Sequence, residues 1–129
     1  MVLMNIIRSV YFEKIKPFID TPVVKVVTGI RRCGKSVMLS QIRDFLVQQG
    51  IKECQILSLN FESFTDERVK SFESVTECVK KCAENSGNKK LYLFFDEIQE
   101  LNGWEKLINS YLVDFNSDIY ITGSNAKLL

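Results

Sequence analysis

Apolar residues along the chain alternate between short β-branched or aromatic runs and longer segments with a helical period. Short runs bounded by glycine, proline or polar residues predict strands, here at 23–28, 55–61, 91–95 and 118–122. Apolar positions three and four apart predict helices at 9–20 (bent at Pro17), 35 to about 49, 65–83 and 103–115. Strands that alternate with helices indicate a parallel sheet covered on both faces.

The last helical segment has the clearest one-sided pattern. Its apolar residues are spaced as one buried stripe, made of Trp104, Leu107, Ile108, Tyr111, Leu112 and Phe115. The strand at 91–95 is apolar at every position, which is typical of a central parallel strand buried on both faces. These patterns predict an α/β fold in three layers, helix on sheet on helix.

Composition and charge narrow the function classes without choosing one. The 129 residues suit a single domain, and 17 basic against 16 acidic residues leave a net charge of +1, which indicates neither a nucleic-acid nor a membrane partner. No apolar run is long enough for a signal peptide or a membrane span, so we expect a cytoplasmic protein. The absence of histidine excludes histidine-based catalysis and most zinc sites.

A phosphate-binding pattern lies between the first strand and the next helix. The run Gly29-Ile30-Arg31-Arg32-Cys33-Gly34-Lys35-Ser36 matches G-x-x-x-x-G-K-[ST]. Its glycines let backbone N–H groups face phosphates at a helix N-terminus. We expect Lys35 to reach the β- and γ-phosphates of ATP and Ser36 to bind Mg²⁺, with the binding segment ending at Val37.

Two further strand ends place polar side chains at the same edge of the predicted sheet. Asp96 follows the apolar third strand and is expected to hold Mg²⁺, while Glu97 beside it suits a general base for the attacking water. Asn125, after the fourth strand, is placed to orient that water or touch the γ-phosphate. Because Thr-Gly-Ser-Asn is also good turn chemistry, a purely structural role for Asn125 stays open.

These motifs occur in an order that resembles the prokaryotic AAA-type ATPases with a GxRRxGKS phosphate loop. The resemblance spans essentially the whole chain and includes Phe-Phe-Asp-Glu-Ile-Gln-Glu, Trp104 and Ile-Thr-Gly-Ser-Asn-Ala-Lys-Leu-Leu. It implies Walker A at Gly29 to Ser36, Walker B at Asp96 and Glu97, and sensor 1 near Asn125. It also implies an ASCE-type strand order, with the sensor strand between the Walker A and Walker B strands. Cys33 stands where the family usually has Ser.

The resemblance also implies parts that this sequence does not contain. In that family the ATPase continues through a fifth strand and a helical lid, followed by a C-terminal domain that resembles restriction-type nucleases. We therefore expect 1–129 to be a partial P-loop ATPase domain without arginine finger or sensor 2, weak or inactive alone. The first strand would then be an open edge, which predicts self-association.

Other readings stay open or are disfavoured. An ATP-occupancy switch or a binding module for DNA or protein partners, without turnover, is the main alternative to hydrolysis, and a small P-loop kinase lacks a visible acceptor pocket. GTP is disfavoured because Asn88-Lys89-Lys90-Leu91 lacks the Asp of N-K-x-D. Solvated arginines are the commoner reading of Arg31 and Arg32, and Cys78 and Cys82 lack further metal ligands.

Overall fold

The computed structural model describes residues 13, 15–21, 23–27 and 32–123, with the side chains of 32–36 excepted. Four strands are present in this part, β1 Lys25–Val27, β2 Ile56–Asn60, β3 Leu91–Asp96 and β4 Ser117–Thr122. Three α-helices lie between them, α1 Arg32–Gln48, α2 Phe72–Asn85 and α3 Trp104–Asp114. Short 3₁₀ helices occupy Lys16–Phe18, Glu53–Gln55, Glu67–Val69 and Ile98–Glu100.

The four strands form one parallel sheet in the order β1-β4-β3-β2. Val27 of β1 pairs with Thr122, and Asn60 of β2 pairs with Asp96, so the carboxyl ends of all strands meet at one edge. The fourth strand lies between the first and the third, as the ASCE-type order requires. The predicted α/β fold and strand order are confirmed.

Each face of the sheet has its own hydrophobic core. On one face α2 and α3 pack on the strands through residues that include Val75, Val79, Leu107, Ile108 and Tyr111. On the other face α1 packs through Met38, Leu39, Ile42 and Leu46 against Tyr92, Phe94 and Tyr120. Side chains alternate between the faces along β3, because Leu93 and Phe95 join the first core while Tyr92 and Phe94 join the second. The three-layer arrangement follows from this alternation.

A buried polar cluster ties the segment before β1 to the amino ends of the strands. Lys25 and Asp118 form an ion pair whose side chains are 2% and 0% exposed. The Tyr120 hydroxyl and the backbone N–H of Asp20 donate to the same carboxylate, the latter at 2.9 Å. The Tyr92 hydroxyl in turn donates to the Asp20 carboxylate at 3.1 Å. Burial raises the pKa of both tyrosines, so the cluster keeps its hydroxyl protons across the ordinary pH range.

The predicted helix at 65–83 is wrong in its first part. The chain there forms a short 3₁₀ helix, Glu67–Val69, and α2 begins only at Phe72. The break has a local cause, because the Ser71 side chain accepts a hydrogen bond from the Ser74 backbone N–H, and the Ser74 side chain accepts one from the Ser71 backbone N–H. This reciprocal cap starts a new helix rather than continuing one.

Three smaller differences concern lengths and exposure. The first strand is confined to Lys25–Val27, and Val23 is 54% exposed. Leu112 does not belong to the buried stripe of α3 and is 39% exposed, whereas Leu107, Ile108 and Tyr111 are buried as predicted. Most of the predicted helix at 9–20 lies outside the described residues. In the described part of the chain, no helix has the length and hydropathy of a membrane span.

Candidate nucleotide site

The described half of the phosphate-binding pattern forms the start of a helix. Arg32, Cys33, Gly34, Lys35 and Ser36 make up the first turn and a half of α1, so the helix begins three residues before the predicted start at Lys35. The first N–H groups of a helix lack intrahelical partners and carry partial positive charge. The backbone at Arg32–Ser36 therefore offers the anion-binding end of α1.

The remaining predicted loop residues fall in two groups. Gly29, Ile30 and Arg31 lie outside the described residues, as does Asn125. Val37 is described and half-buried in α1. The structure thus fixes the two ends between which the loop runs, Val27 at the end of β1 and the start of α1.

Asp96 is the last residue of β3 and is held from the neighbouring strand. The Thr122 hydroxyl, at the end of β4, donates to Asp96 Oδ1. The backbone of Asp96 is fixed on its other side, because its carbonyl accepts the Phe61 N–H at 2.9 Å. Thr122 is fully buried, so its hydroxyl has a defined position between the strands.

Glu97 adopts an unusual backbone conformation immediately after the strand. Its φ of 54° and ψ of 49° are left-handed, a region that costs a residue with a Cβ about 1 kcal/mol or more. Its N–H donates to Thr122 Oγ1 at 2.9 Å, which helps to hold this conformation. The side chain is buried and accepts a hydrogen bond from Gln99 Nε2 at 2.6 Å. Backbone strain of this kind concentrates at functional sites.

A single hydroxyl thus connects the two acidic residues. Thr122 donates to the carboxylate of Asp96 and accepts from the backbone of Glu97, so one side chain of β4 orients both. The sequence analysis did not single out Thr122. The available signal was a threonine at the carboxyl end of an otherwise apolar strand, just before Gly123.

The register of the sheet places the phosphate loop beside this arrangement. Val27 pairs with Thr122, and Phe95 pairs with Ile121, so β4 separates the end of β1 from the end of β3 by one strand. Ligands of open α/β sheets bind outside the carboxyl ends of the strands. The start of α1, Thr122 and the two acids therefore border one crevice, in which oxygen ligands and N–H groups suit Mg²⁺ and phosphate respectively.

Similar proteins were found among family models and curated sequences. A family model described as an AAA domain matches residues 21–129. An uncharacterized protein of Haemophilus influenzae is 47% identical over 122 residues, which are 95% of this chain and 30% of that protein. An uncharacterized protein of Methanocaldococcus jannaschii is 36% identical over 108 residues, 82% of this chain and 22% of that protein. No solved structure matches the chain.

The chain spans less than a third of the length of these relatives. The family match begins just before β1 and extends through β4, so it includes every element that borders the crevice. An AAA domain indicates an ATPase-like, nucleotide-binding function. By this match, the chain belongs to the AAA domain family.

Proposed function

We propose that this chain binds ATP with Mg²⁺ at the carboxyl ends of β1, β4 and β3 and contributes to its hydrolysis. The observation that carries the proposal is the Thr122 hydroxyl, which fixes Asp96 and Glu97 together beside the start of α1. Two adjacent acids held by a buried hydroxyl form a prepared site, because their positions do not depend on a ligand.

The residues take distinct roles in this proposal. Gly29 to Val37 surround the triphosphate with backbone N–H groups, and Lys35 binds the β- and γ-phosphates. Ser36 and Asp96 hold Mg²⁺, directly or through water. The metal neutralises charge on the phosphate oxygens when it is bound. Asn125 contacts the γ-phosphate or the water from the end of β4.

Glu97 is the proposed general base, and Gln99 assists it. Gln99 Nε2 donates to Glu97 Oε2, while Gln99 Oε1 is buried with no hydrogen-bond partner among the described residues. A buried acceptor next to a carboxylate suits a water molecule that donates one proton to each. The carboxylate then takes the proton of the attacking water.

The first experiment is a calorimetric titration of the chain with Mg·ATP. We expect saturable binding that is lost in Lys35→Ala and is much weaker for GTP, because the lysine supplies the charge opposite the γ-phosphate. Lys106→Ala is the matched control, since Lys106 is exposed on α3 and belongs to the opposite face of the sheet. Equal binding by wild type and Lys35→Ala would refute the proposed site.

A second candidate is an ATP-occupancy switch without significant turnover. It is favoured by the hydrogen bond from Gln99, which engages the base in this conformation. The two functions differ in steady-state hydrolysis by the full-length parent protein. Turnover that is lost in Glu97→Gln while Mg·ATP binding is kept supports hydrolysis, whereas equal and negligible turnover in both proteins supports the switch.

A further inference from the structure

A second cleft lies on the β2 side of Asp96, outside the arrangement described above. It has a volume of about 440 Å³ and opens between α1 and the carboxyl halves of β2 and β3. Its polar walls come from three elements, Ser40 and Arg43 of α1, Ser58 and Asn60 of β2, and Ser63 and Arg68 of the loop after β2. Asp96 forms its inner end, so the cleft and the nucleotide site share one wall.

The loop that borders the cleft is ordered by its own hydrogen bonds. Asn60 Oδ1 accepts the Glu62 N–H at 3.0 Å, and Ser63 Oγ accepts the Asp66 N–H at 3.2 Å. The Asp66 carboxylate accepts from Arg68 at 2.7 Å and 2.9 Å, and this partner holds the pKa of Asp66 below its usual value. Most acceptors around the cleft are therefore already used inside the protein.

Hydrogen-bond donors, in contrast, remain available. Arg43 meets Glu53 only at 3.5 Å, with side chains 43% and 75% exposed, so this pair constrains the guanidinium weakly. Arg68 is held by Asp66 through Nε and Nη2 and keeps further N–H groups. The Ser40 and Ser58 hydroxyls donate to no other described residue. The side-chain amide of Asn60 is left with its NH₂ group, because its oxygen is engaged.

A cleft rich in donors and poor in free acceptors selects a ligand made of acceptors. Phosphate has this character, and arginine is its preferred side-chain partner in proteins. Hydrolysis of ATP produces such a ligand next to the cleft. The water oxygen bonds to the γ-phosphorus, the bond to the ADP oxygen breaks, and ADP, orthophosphate and a proton result.

We propose that the cleft between α1 and β2 is a phosphate subsite, which receives orthophosphate on the far side of Asp96 from the phosphate loop. The binding of phosphate stands on the cleft alone, whereas its source rests on the proposed function. The Asp96 carboxylate separates the two positions and repels an anion, so Mg²⁺ bound at Asp96 strengthens binding in the cleft.

The first test measures orthophosphate binding by calorimetry in the Lys35→Ala background, where the phosphate loop is disabled. We expect saturable binding that weakens about tenfold or more in Arg43→Gln, because a charge-assisted hydrogen bond is lost. Ser58→Asp places a negative charge on the floor of the cleft and is expected to abolish binding. Lys106→Gln removes one positive charge elsewhere and is expected to change the affinity less than twofold.

Each outcome of this titration decides the subsite. Equal affinities in Arg43→Gln and Lys106→Gln, or no saturable binding in folded protein, overturn the proposal. Both substituted cleft residues are largely exposed, and circular dichroism and the unfolding midpoint confirm that each variant is folded. Ser58→Asp keeps the test decisive if Arg43→Gln is compromised.

The second test identifies the source of the phosphate. Wild-type chain saturated with Mg·ADP is titrated with orthophosphate and, separately, with phenyl phosphate. Orthophosphate that binds together with Mg·ADP, and binds more weakly in Arg43→Gln, supports a product site. Displacement of one by the other, or phenyl phosphate binding more than tenfold tighter than orthophosphate, overturns the product assignment. Failure of Mg·ADP to bind refutes the proposed function and leaves the first test unaffected.

Discussion

At the scale of single residues, the candidate site depends on a side chain that is neither charged nor part of a familiar motif. Thr122 is fully buried at the end of β4 and connects the Asp96 carboxylate with the backbone of Glu97. Sequence analysis predicted both acids, because they directly follow an apolar strand. It missed Thr122 because the hydroxyl gains its role only through the pairing of β4 with β3, which is a tertiary feature.

Replacing Thr122 by valine tests this role. Valine keeps the shape but removes the hydroxyl, which leaves a buried carboxylate oxygen and the Glu97 N–H without this partner. We expect a loss of about 1–3 kcal/mol in the free energy of unfolding, measured with urea. We also expect weaker Mg·ATP binding by calorimetry, because the two acids lose their common orientation.

Thr122→Ser is the matched control, since it retains the hydroxyl and removes only a methyl group. It is expected to keep most of the nucleotide affinity that Thr122→Val loses. If both variants bind Mg·ATP equally well, the hydroxyl does not position the acids.

At the scale of elements, sequence patterns were most reliable where burial is one-sided or complete. β3 was predicted correctly because every residue from Leu91 to Phe95 is apolar, and four of the strands and helices end within two residues of prediction. The start of α2 was missed because the apolar repeat continues through the Ser71 cap. Leu112 was assigned to the core because periodicity cannot show where the covering sheet ends.

The start of α3 offers a test of local geometry. Gly103 precedes the helix with a φ of +81°, and a Cβ there would lie 2.9 Å from Phe72 Cζ of α2. We expect Gly103→Ala to lower the free energy of unfolding by about 1 kcal/mol for the left-handed backbone and by about 1 kcal/mol more for the contact. Urea unfolding measures the sum.

Gly87→Ala separates the two contributions. Gly87 has a φ of +68°, but nothing lies within 4 Å of its added Cβ. Only the backbone cost is therefore expected at this position. Equal losses in the two variants would show that Phe72 moves aside without cost.

At the scale of the whole molecule, the sheet is covered unevenly. β3 and β4 are buried on both faces, whereas β1 pairs only with β4 among the described residues. Val26 of β1 is 49% exposed and Val23 before it is 54% exposed. An exposed apolar strand at a sheet edge favours pairing with another chain.

We therefore predict that this 129-residue chain self-associates through β1. Light scattering at rising concentration is expected to show species larger than a monomer in wild type and to show fewer in Val26→Lys, because charge opposes edge pairing. Val113→Lys is the control, since Val113 is 84% exposed on α3, away from β1. A monodisperse monomer at high concentration, or equal effects of both substitutions, would count against the prediction.

The strand order also determines when the nucleotide site is completed during synthesis. β1 precedes the phosphate loop but has its partner in β4, and 93 residues separate Lys25 from the buried Asp118. At about 5–20 residues per second on the ribosome, β1 waits roughly 5–20 s for that partner. The nascent chain can pair β2 with β3 during this interval, while the ATP-binding end of the sheet stays unassembled. Nucleotide therefore joins a chain whose other half has already folded, and it acts on the last step of maturation.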